Sequence, residues 1–362
     1  MKIKNIFFAA ILVLAGFSCS MEDDANMNDV EKGIEEATEA YTVLDFGVAF
    51  NEMATKASTT VVPGEDRPAT GDENNDEKKI SEVSVFLLED GKVIGILIPQ
   101  NRNQVSSNSD GSITLKDLKF VTKYKTNRTL EAHVVINGNQ FLKNINIGDA
   151  QSALNQQISG CLSADQLIKY GSTRIVFGKD ITNSYSSPSV AENNPTTILV
   201  KVSHVAARLD FSQFDVTLKG FEGNPTVVFD EAKFVNLQQN GKIVEGDASV
   251  NVKDGAFLNR SNRIGTKWTD MGTAYGYANQ YKQDSEMNTA LYVKFTVDGR
   301  TFEKTYPINP AGITKEVDHN GIKGGYLYDI KVRWTITPDW GDSTIEFYTR
   351  DWVHNSIPEV VL

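Results

Sequence analysis

The sequence predicts an all-β protein with little helix, arranged as two β-sandwich domains in tandem. Many short apolar segments alternate with a period of two residues, and Gly, Asn and Asp separate them at short intervals, a pattern typical of sandwiches. The chain has 362 residues, of which 40% are hydrophobic. That length is enough for two such domains, each with a core of its own.

Composition excludes several classes of protein. Asp and Glu number 47 against 36 Lys and Arg, so the formal charge is −11 and binding to nucleic acid or anionic lipid through charge is not expected. The two cysteines, Cys19 and Cys161, are too few for a disulfide scaffold. We expect Cys161 to be a buried or half-buried packing residue.

The first residues predict export. Residues 1–18 combine two lysines with an apolar run too short to span a bilayer, as in a signal peptide. Small residues then lead to Cys19, as at a bacterial lipoprotein processing site, so Cys19 is expected to be the acylated first residue of an outer-membrane, surface-exposed protein. Gly16 stands where such sites usually carry an aliphatic residue, which leaves plain signal-peptide cleavage as the alternative.

Residues 19–56 are expected to hold an acidic tether and a removable strand. The tether is poor in large apolar residues, as a solvated segment is. In residues 41–50 a period of two predicts a strand with one apolar face, formed by Leu44, Phe46, Val48 and Phe50. Residues 51–79 show no periodicity, and a loop of that length is usually functional or disordered.

The first domain, residues 57–195, is predicted to be strands with one helical region. Its clearest strands are residues 83–87, 93–98 and 129–136. Glu89-Asp90-Gly91-Lys92 is typical of a hairpin turn. Residues 148–170 are predicted to be helical, with a second short helix beginning near Ser163. The polar stretch 183–195 is the expected domain boundary.

The second domain, residues 196–362, repeats this organisation. Its predicted strands are residues 197–202, 206–218, 226–237, 290–297, 301–308 and 326–337. Residues 343–362 form a last extended segment, whose apolar residues include Ile345, Phe347, Trp352, Val360 and Leu362.

The sequence offers no catalytic group and no metal or cofactor site. The four histidines lie far apart, and none has the helical spacing of a zinc site; His133 is expected to be a structural residue on a strand. A calcium-loop spacing begins at Ser106 and ends at Asp117, but it lacks an acid at its first position, and a plain turn before a strand is favoured. The protein is therefore not expected to be an enzyme.

Three features point to assembly: the lipid tether, the apolar strand before a long linker, and the apolar tail. The linker offers Lys56 and Arg67 to a trypsin-like protease, and a cut there would separate the strand 41–50 from its sheet. Burial of its four apolar side chains is worth roughly 6 to 12 kcal/mol in total, which the open groove would recover by binding another strand. The tail 343–362 of another copy is the expected donor, by β-augmentation that propagates into a filament.

At this point the chain resembles the fimbrillins, the FimA-type major subunits of type V pili. The resemblance is carried by Lys201-Val202-Ser203-His204-Val205-Ala206-Ala207-Arg208-Leu209, by Tyr306-Pro307-Ile308, by Tyr328-Asp329-Ile330-Lys331-Val332 and by Arg350-Asp351-Trp352-Val353. It implies two transthyretin-like β-sandwich domains, export as a lipoprotein, removal of the N-terminal strand by an extracellular Arg- or Lys-specific protease, and polymerisation with other copies or related pilins by strand exchange.

The resemblance also suggests where the chain is processed. The family commonly cuts after Arg shortly past the first strand. The bond between Lys56 and Ala57 has that position, whereas Arg67 lies further on and is followed by Pro68, which usually blocks trypsin-like cleavage. Lys56 is therefore preferred, with Arg67 as the second choice.

Two other functions stay open from the sequence. The chain could be a tip or anchor subunit of the same pilus; an anchor would keep its lipid and resist cleavage. It could also be a monomeric surface lipoprotein that binds glycan through exposed Trp268, Tyr275 and Tyr277. Packing of those aromatic residues beneath the connection 240–288 is the favoured alternative to a glycan site.

Overall fold

The computed structural model describes residues 39–50, 76–108, 112–244, 246–259, 263–309 and 319–351. Within them the chain is mostly strand, which confirms the all-β prediction. The first nine strands are β1 (Tyr41–Phe50), β2 (Val83–Glu89), β3 (Lys92–Leu97), β4 (Val105–Ser107), β5 (Ile113–Lys123), β6 (Thr129–Ile136), β7 (Gln157–Ser159), β8 (Lys169–Val176) and β9 (Thr196–His204).

The second half continues as strands. They are β10 (Ala207–Leu218), β11 (Val227–Val235), β12 (Leu237–Gln238), β13 (Asn240–Lys242), β14 (Val252–Lys253), β15 (Phe257–Asn259), β16 (Arg263–Ile264), β17 (Lys267–Gly276), β18 (Ala290–Val297), β19 (Arg300–Pro307), β20 (Tyr326–Ile336) and β21 (Gly341–Asp351). Short helices are α1 (Asn139–Leu142) and α2 (Pro188–Glu192), with 3-10 turns at Arg102–Gln104, Gln151–Leu154 and Ala164–Gln166. Among the described residues no helix is long and apolar enough to cross a membrane.

The first sandwich is one eight-stranded sheet folded over its own core. The strand order is β3-β2-β6-β8-β9-β1-β5-β4. β8 and β9 pair only at Lys169 with His204 and at Tyr170 with Ser203, so the sheet turns a corner there. Side chains from β2 and β6 on one side and from β1, β5 and β9 on the other meet in a single buried core.

The second sandwich has two separate sheets. One has the order β17-β10-β20-β21; the other has the order β15-β11-β18-β19, with β16 also paired to β11. The core between them is rich in aromatic residues. At its centre the Phe214 ring contacts the rings of Phe229, Phe295 and Trp268, with centroids 5.3 to 5.4 Å apart, the edge or tilted geometry that aromatic pairs prefer.

The two sandwiches are joined by a short sheet and a third core. β7 of the first pairs with β13 of the second. Beside it, residues of both halves share a buried cluster that includes Phe86, Leu154, Ile158, Tyr277 and Leu327. The Tyr277 hydroxyl donates a 2.7 Å hydrogen bond to the carbonyl of Gly160. Backbone pairing together with apolar burial makes this junction stiffer than a flexible linker.

The predicted helix over residues 148–170 is wrong. The segment holds two 3-10 turns and the strand β7 instead. Gly160 and Cys161 between these elements have positive φ values of +73° and +55°, which an α-helix cannot contain. Cys161 is half-buried, as expected for a packing residue, but it does not lie in a helix.

The boundary between the two sheet systems also differs from the prediction. Strand β9 begins the predicted second domain, yet it pairs with β1 and β8 in the first sheet. The chain crosses into the second sandwich at Val205 and Ala206, which connect β9 to β10. The polar composition of residues 183–195 led to the predicted boundary. That stretch lies on the surface of the first sandwich, however, and does not connect the two sandwiches.

Local predictions based on alternation and turn residues are confirmed. β1 and β18 have the predicted bounds, and β20 differs from its prediction by one residue. Asp90 and Gly91 connect β2 to β3 with φ values of +50° and +71°, the paired left-handed conformation of a two-residue hairpin turn. These features depend on neighbours in sequence, so the sequence reports them well.

Candidate functional site: the slot of the first strand

β1 is an interior strand of the first sheet. It pairs in parallel with β9, from Leu44 beside Thr196 to Phe50 beside Val202. On its other side it pairs antiparallel with β5 between Tyr41 and Val48. The space between β5 and β9 that β1 fills is called the β1 slot below. Loss of β1 would leave two unpaired strand edges, which are strong acceptors for another strand.

The inward face of β1 is part of the first core. Leu44, Phe46 and Val48 are fully buried and Phe50 is 6% exposed. Asp45 and Ala49 between them are half-buried, as the predicted period of two requires, whereas Val43 and Gly47 are buried as well. At about 1.5 to 3 kcal/mol for each side chain, the four together contribute roughly 6 to 12 kcal/mol of apolar burial.

The outward face of β1 is covered as well. Val43 and Gly47 on this face are buried, and α2 packs against β1 and β5 from outside. The segment that contains α2 is held to β1 at one end by two backbone hydrogen bonds. The N–H of Tyr41 donates to the carbonyl of Tyr185 and the N–H of Tyr185 donates to the carbonyl of Tyr41, each at 2.8 Å. At the other end the Lys119 Nζ donates a 2.8 Å hydrogen bond to the carbonyl of Glu192. Part of the stretch expected to be a domain boundary is therefore a lid on β1.

Three polar atoms in or beside β1 are buried without a hydrogen-bond partner in the described part of the chain. They are Thr42 Oγ1, Asp45 Oδ1 and Thr196 Oγ1. Each such group costs about 1 to 3 kcal/mol. The apolar face of β1 therefore holds the strand in place, while its polar side chains partly offset that stability.

β21 occupies a different kind of position, at the edge of its sheet. It pairs with β20 over its whole length, from Gly341 beside Ile336 to Asp351 beside Tyr326. Ile345 is half-buried against the second core. Phe347 lies opposite Ile330, while Trp352, Val360 and Leu362 lie outside the described residues. The first part of the predicted donor tail is thus already a strand of its own chain.

The predicted processing and lipid sites, Cys19, Lys56, Ala57 and Arg67, also lie outside the described residues. Glu77, close to the start of the next described range, is held firmly in place. Glu77 is fully buried, and its carboxylate lies 3.0 Å from Nη1 of Arg208. In sequence this buried residue lies 10 positions after Arg67 and 21 positions after Lys56.

Three residues from different strands hold Glu77. Besides Arg208 of β10, the Tyr275 hydroxyl of β17 donates a 2.5 Å hydrogen bond to Oε1, and Lys169 of β8 donates a 2.8 Å bond from Nζ to the Glu77 carbonyl. Burial and the neighbouring Glu77 carboxylate raise the pKa of Tyr275, so its hydroxyl stays protonated as a donor. Glu77 is therefore bonded to strands of both sandwiches.

Sequence reasoning missed this anchor. Asp76-Glu77-Lys78-Lys79 has the composition of a solvent-exposed turn, and no local pattern distinguishes the buried acid in it. The partner Arg208 lies 131 residues further along the chain. Only an observed contact could have identified the pair.

The aromatic residues proposed for glycan binding are packed inside the protein. Trp268 is 6% exposed within the second core, and Tyr277 is 1% exposed at the junction of the sandwiches. Tyr275 is half-buried and bonded to Glu77. The alternative that they form an exposed sugar-binding surface is wrong, and the favoured expectation that they pack is confirmed.

The histidines have structural surroundings. His133 is buried on β6, with Nδ1 2.8 Å from the Tyr170 hydroxyl, as predicted for a structural residue. Burial lowers its pKa, partly opposed by Glu131. Within the described residues no three His, Cys, Asp or Glu side chains come close enough to hold a metal ion.

Comparison with solved structures shows that other proteins share this architecture. A candidate cell adhesion protein of Parabacteroides distasonis superimposes with a TM-score of 0.59 over 87% of this chain and 98% of its own, at 17% identity. The two proteins share their fold. Other similar structures are a fimbrial assembly protein of the same species (TM-score 0.49, 16% identity, 86% and 100% covered) and fimbrilin FimA of Porphyromonas gingivalis (0.48, 15%, 86% and 98%). No family model and no curated protein matches the sequence.

Proposed function

We propose that the chain is a structural, non-enzymatic subunit of a bacterial surface fimbria that polymerises by strand exchange. The position of β1 carries the proposal. It is the first described strand, it lies between two other strands, and it precedes a segment that contains Lys56 and Arg67. A single cut in that segment breaks the covalent link between β1 and the rest of the sheet, so that only hydrogen bonds and packing hold the strand.

The free energy of apolar burial favours a β1 slot filled by another strand over a slot that stays empty. The inward face of β1 contributes roughly 6 to 12 kcal/mol, and a subunit without it exposes that apolar surface and two strand edges. A strand from a second copy restores both. Because the donor and the slot are different surfaces of each subunit, the contact is head-to-tail and repeats without limit.

Export and adhesion complete the proposal. Lipidation at Cys19 holds the uncut subunit at the outer membrane, and an Arg- or Lys-specific surface protease releases it for assembly. The adhesive role is supported by the fold shared with the candidate cell adhesion protein of Parabacteroides distasonis. A tip or anchor subunit remains the alternative within the same assembly, and the experiment below separates the two.

The test follows the full exported chain in a host that carries the protease. Mass spectrometry gives the first residue of each product, and electron microscopy shows whether filaments form. We expect filaments whose subunits begin at Ala57, uncut monomers for Lys56→Gln and for Ala57→Pro, and wild-type behaviour for the control Arg67→Gln. Cut protein that stays monomeric at high concentration contradicts the proposal. An uncut chain that keeps lipid on Cys19 at the base of filaments indicates the anchor role.

A further inference from the structure

A cavity lies where the two sandwiches meet, beside β13. Its volume is about 410 Å³, within the range of sites that hold small ligands. Its walls come from the end of β9, from β13 and the connection that follows it, from the segment after β17, and from residues 323–324 before β20. The cavity has no part in the strand exchange proposed above, so its lining needs another explanation.

The walls of the cavity are held in place by close packing against bare backbone. A Cβ at Gly241 would lie 2.5 Å from Cδ1 of Tyr277, so the tyrosine ring rests directly on the backbone of β13. A Cβ at Gly324 would lie 2.2 Å from the carbonyl oxygen of Val205, so these two walls touch as well. Walls that are already ordered lose little conformational entropy when a ligand binds.

The charge of the cavity is opposite to that of the protein. Of the described residues that line it, three are lysines, Lys242, Lys282 and Lys323, and one is an acid, Asp247. The whole chain has a formal charge of −11. A concave site with an excess of one charge concentrates ligands of the other sign, so this lining favours an anion.

The three lysines are available to a ligand. Lys242 is half-buried, and its Nζ donates a long hydrogen bond of 3.4 Å to the carbonyl of Asn155. Lys282 and Lys323 are exposed, and Nζ of Lys323 lies 5.2 Å from the centre of the Tyr326 ring. In the part of the chain that the structure describes, no carboxylate forms an ion pair with any of the three. Their charges are therefore not neutralised within these residues.

Asp247 gives the cavity a second chemistry. A carboxylate accepts hydrogen bonds from hydroxyl groups but repels an anion. Gln280 and Ser203 add an amide and a hydroxyl to the lining, and Val250, which is 61% exposed, adds an apolar surface. A ligand that suits all these groups carries a negative charge, several hydroxyls and an apolar C–H face.

We infer that this cavity binds an acidic sugar residue, a pyranose that carries a carboxylate beside its hydroxyls, as part of a surface glycan. The lysines bind the carboxylate, Asp247 accepts hydrogen bonds from the sugar hydroxyls, and Val250 contacts the C–H face of the ring. A neutral sugar would leave the lysines without a partner, and a bare anion would be repelled by Asp247. The inference gives the adhesive role in the proposed function a class of ligand, and it rests on that role.

Calorimetric titration of the uncut exported chain tests the ligand class. The probes are methyl glucuronide and the methyl glycoside of N-acetylneuraminic acid; methyl glucoside is the neutral control and inorganic phosphate is the bare anion. We expect one or both acidic glycosides to bind at least about tenfold more tightly than either control, with an affinity that falls as salt rises. Absence of this preference over the glucoside overturns the inference. Phosphate that binds as tightly as the acidic sugars shows a general anion site and overturns it too.

Charge variants test the position of the site. Lys282→Gln combined with Lys323→Gln should weaken binding of the acidic glycoside at least about fivefold, because both cations are lost. Lys267→Gln is the matched control, since Lys267 is exposed on β17 and does not line the cavity. The replaced side chains are exposed, so the unfolding midpoints should match that of the wild type. Unchanged binding in the double variant overturns the inference.

An Asp247 variant tests the selection of a sugar over an anion. Asp247→Asn removes the repulsion of a bare anion and weakens the acceptor for hydroxyls, so the ratio of acidic-glycoside affinity to phosphate affinity should fall at least about threefold. An unchanged ratio overturns the role assigned to Asp247.

These titrations are independent of filament assembly, because they use the uncut chain. Filaments that form from a chain with no affinity for acidic sugars overturn this inference and leave strand exchange standing. A chain that binds the acidic glycoside but, once cut, never forms filaments overturns the proposed function and keeps the binding site.

Discussion

β1 and β10 occupy equivalent places in the two sandwiches, yet of the two we propose exchange only for β1. Both are interior strands with one parallel and one antiparallel neighbour, and both have fully buried side chains, such as Phe46 and Phe211. They differ in their place along the chain. A cut after β10 would separate the whole first sandwich, whereas a cut after β1 separates one strand of the described sheet. Connectivity, rather than position in the sheet, therefore distinguishes β1 from β10.

The largest expected effect comes from matched alanine substitutions in these two strands. Phe46→Ala and Phe211→Ala should each lower the free energy of unfolding of the uncut chain by about 3 to 5 kcal/mol, because each leaves a cavity in a core. After cleavage Phe46 is gone, so filaments of Phe46→Ala should match wild type, while those of Phe211→Ala stay weak. Urea unfolding of precursor and filaments measures both. Weakened Phe46→Ala filaments would show that β1 remains in the assembly.

Glu77, which follows the proposed processing site, gives the next effect. Glu77→Gln removes one of the two carboxylates that pair with Arg208, leaves the 2.9 Å pair with Asp210, and should cost about 1.5 to 3 kcal/mol in cut and uncut chains alike. Glu39→Gln is the control, because Glu39 forms an exposed pair with Lys123 whose loss should change the unfolding midpoint little. Equal stability of Glu77→Gln and wild type would show that the buried pair does not fix the new N-terminal segment.

A smaller effect of opposite sign is expected at the buried hydroxyl of β1. Thr42→Val removes an unsatisfied Oγ1 and should stabilise the uncut chain by about 1 kcal/mol. Its cross-strand neighbour Thr122 is the control, since Thr122 Oγ1 accepts a 2.6 Å hydrogen bond from Arg128 and Thr122→Val should destabilise. The thermal unfolding midpoints of both variants, compared with that of the wild type, test this prediction. Destabilisation by Thr42→Val would mean that the hydroxyl is satisfied in solution.

The smallest expected effect is a pH dependence of the first sandwich. Burial lowers the pKa of His133 in the folded state, so the unfolded state binds the extra proton first. Stability should therefore fall as pH falls below about 6.5, the ordinary histidine value, and be insensitive to this residue above it. His133→Gln should flatten the slope between pH 7 and pH 5, relative to wild type. An unchanged slope would assign the dependence to other groups.

Features set by neighbouring residues could be predicted well from the sequence, whereas contacts between segments far apart along the chain could not. The strand 41–50 and its buried face follow from alternation, and the β2 to β3 turn from Asp90-Gly91. The segment 148–170 was predicted to be helical, but left-handed residues and pairing with β13 set its structure. The lid formed by α2 and the partners of Glu77 had no local signal, because their burial depends on strands far along the chain.

The amino-acid sequence by itself determined the all-β class, the apolar face of β1 and the basic residues that follow it, since these depend on composition and on neighbours along the chain. The tertiary structure alone decided that β1 lies between β5 and β9, that a lid and an anchor flank it, and that β21 is held on one side only. Those facts arise from pairing between distant segments, which hydrogen bonding and burial select only once the chain has folded.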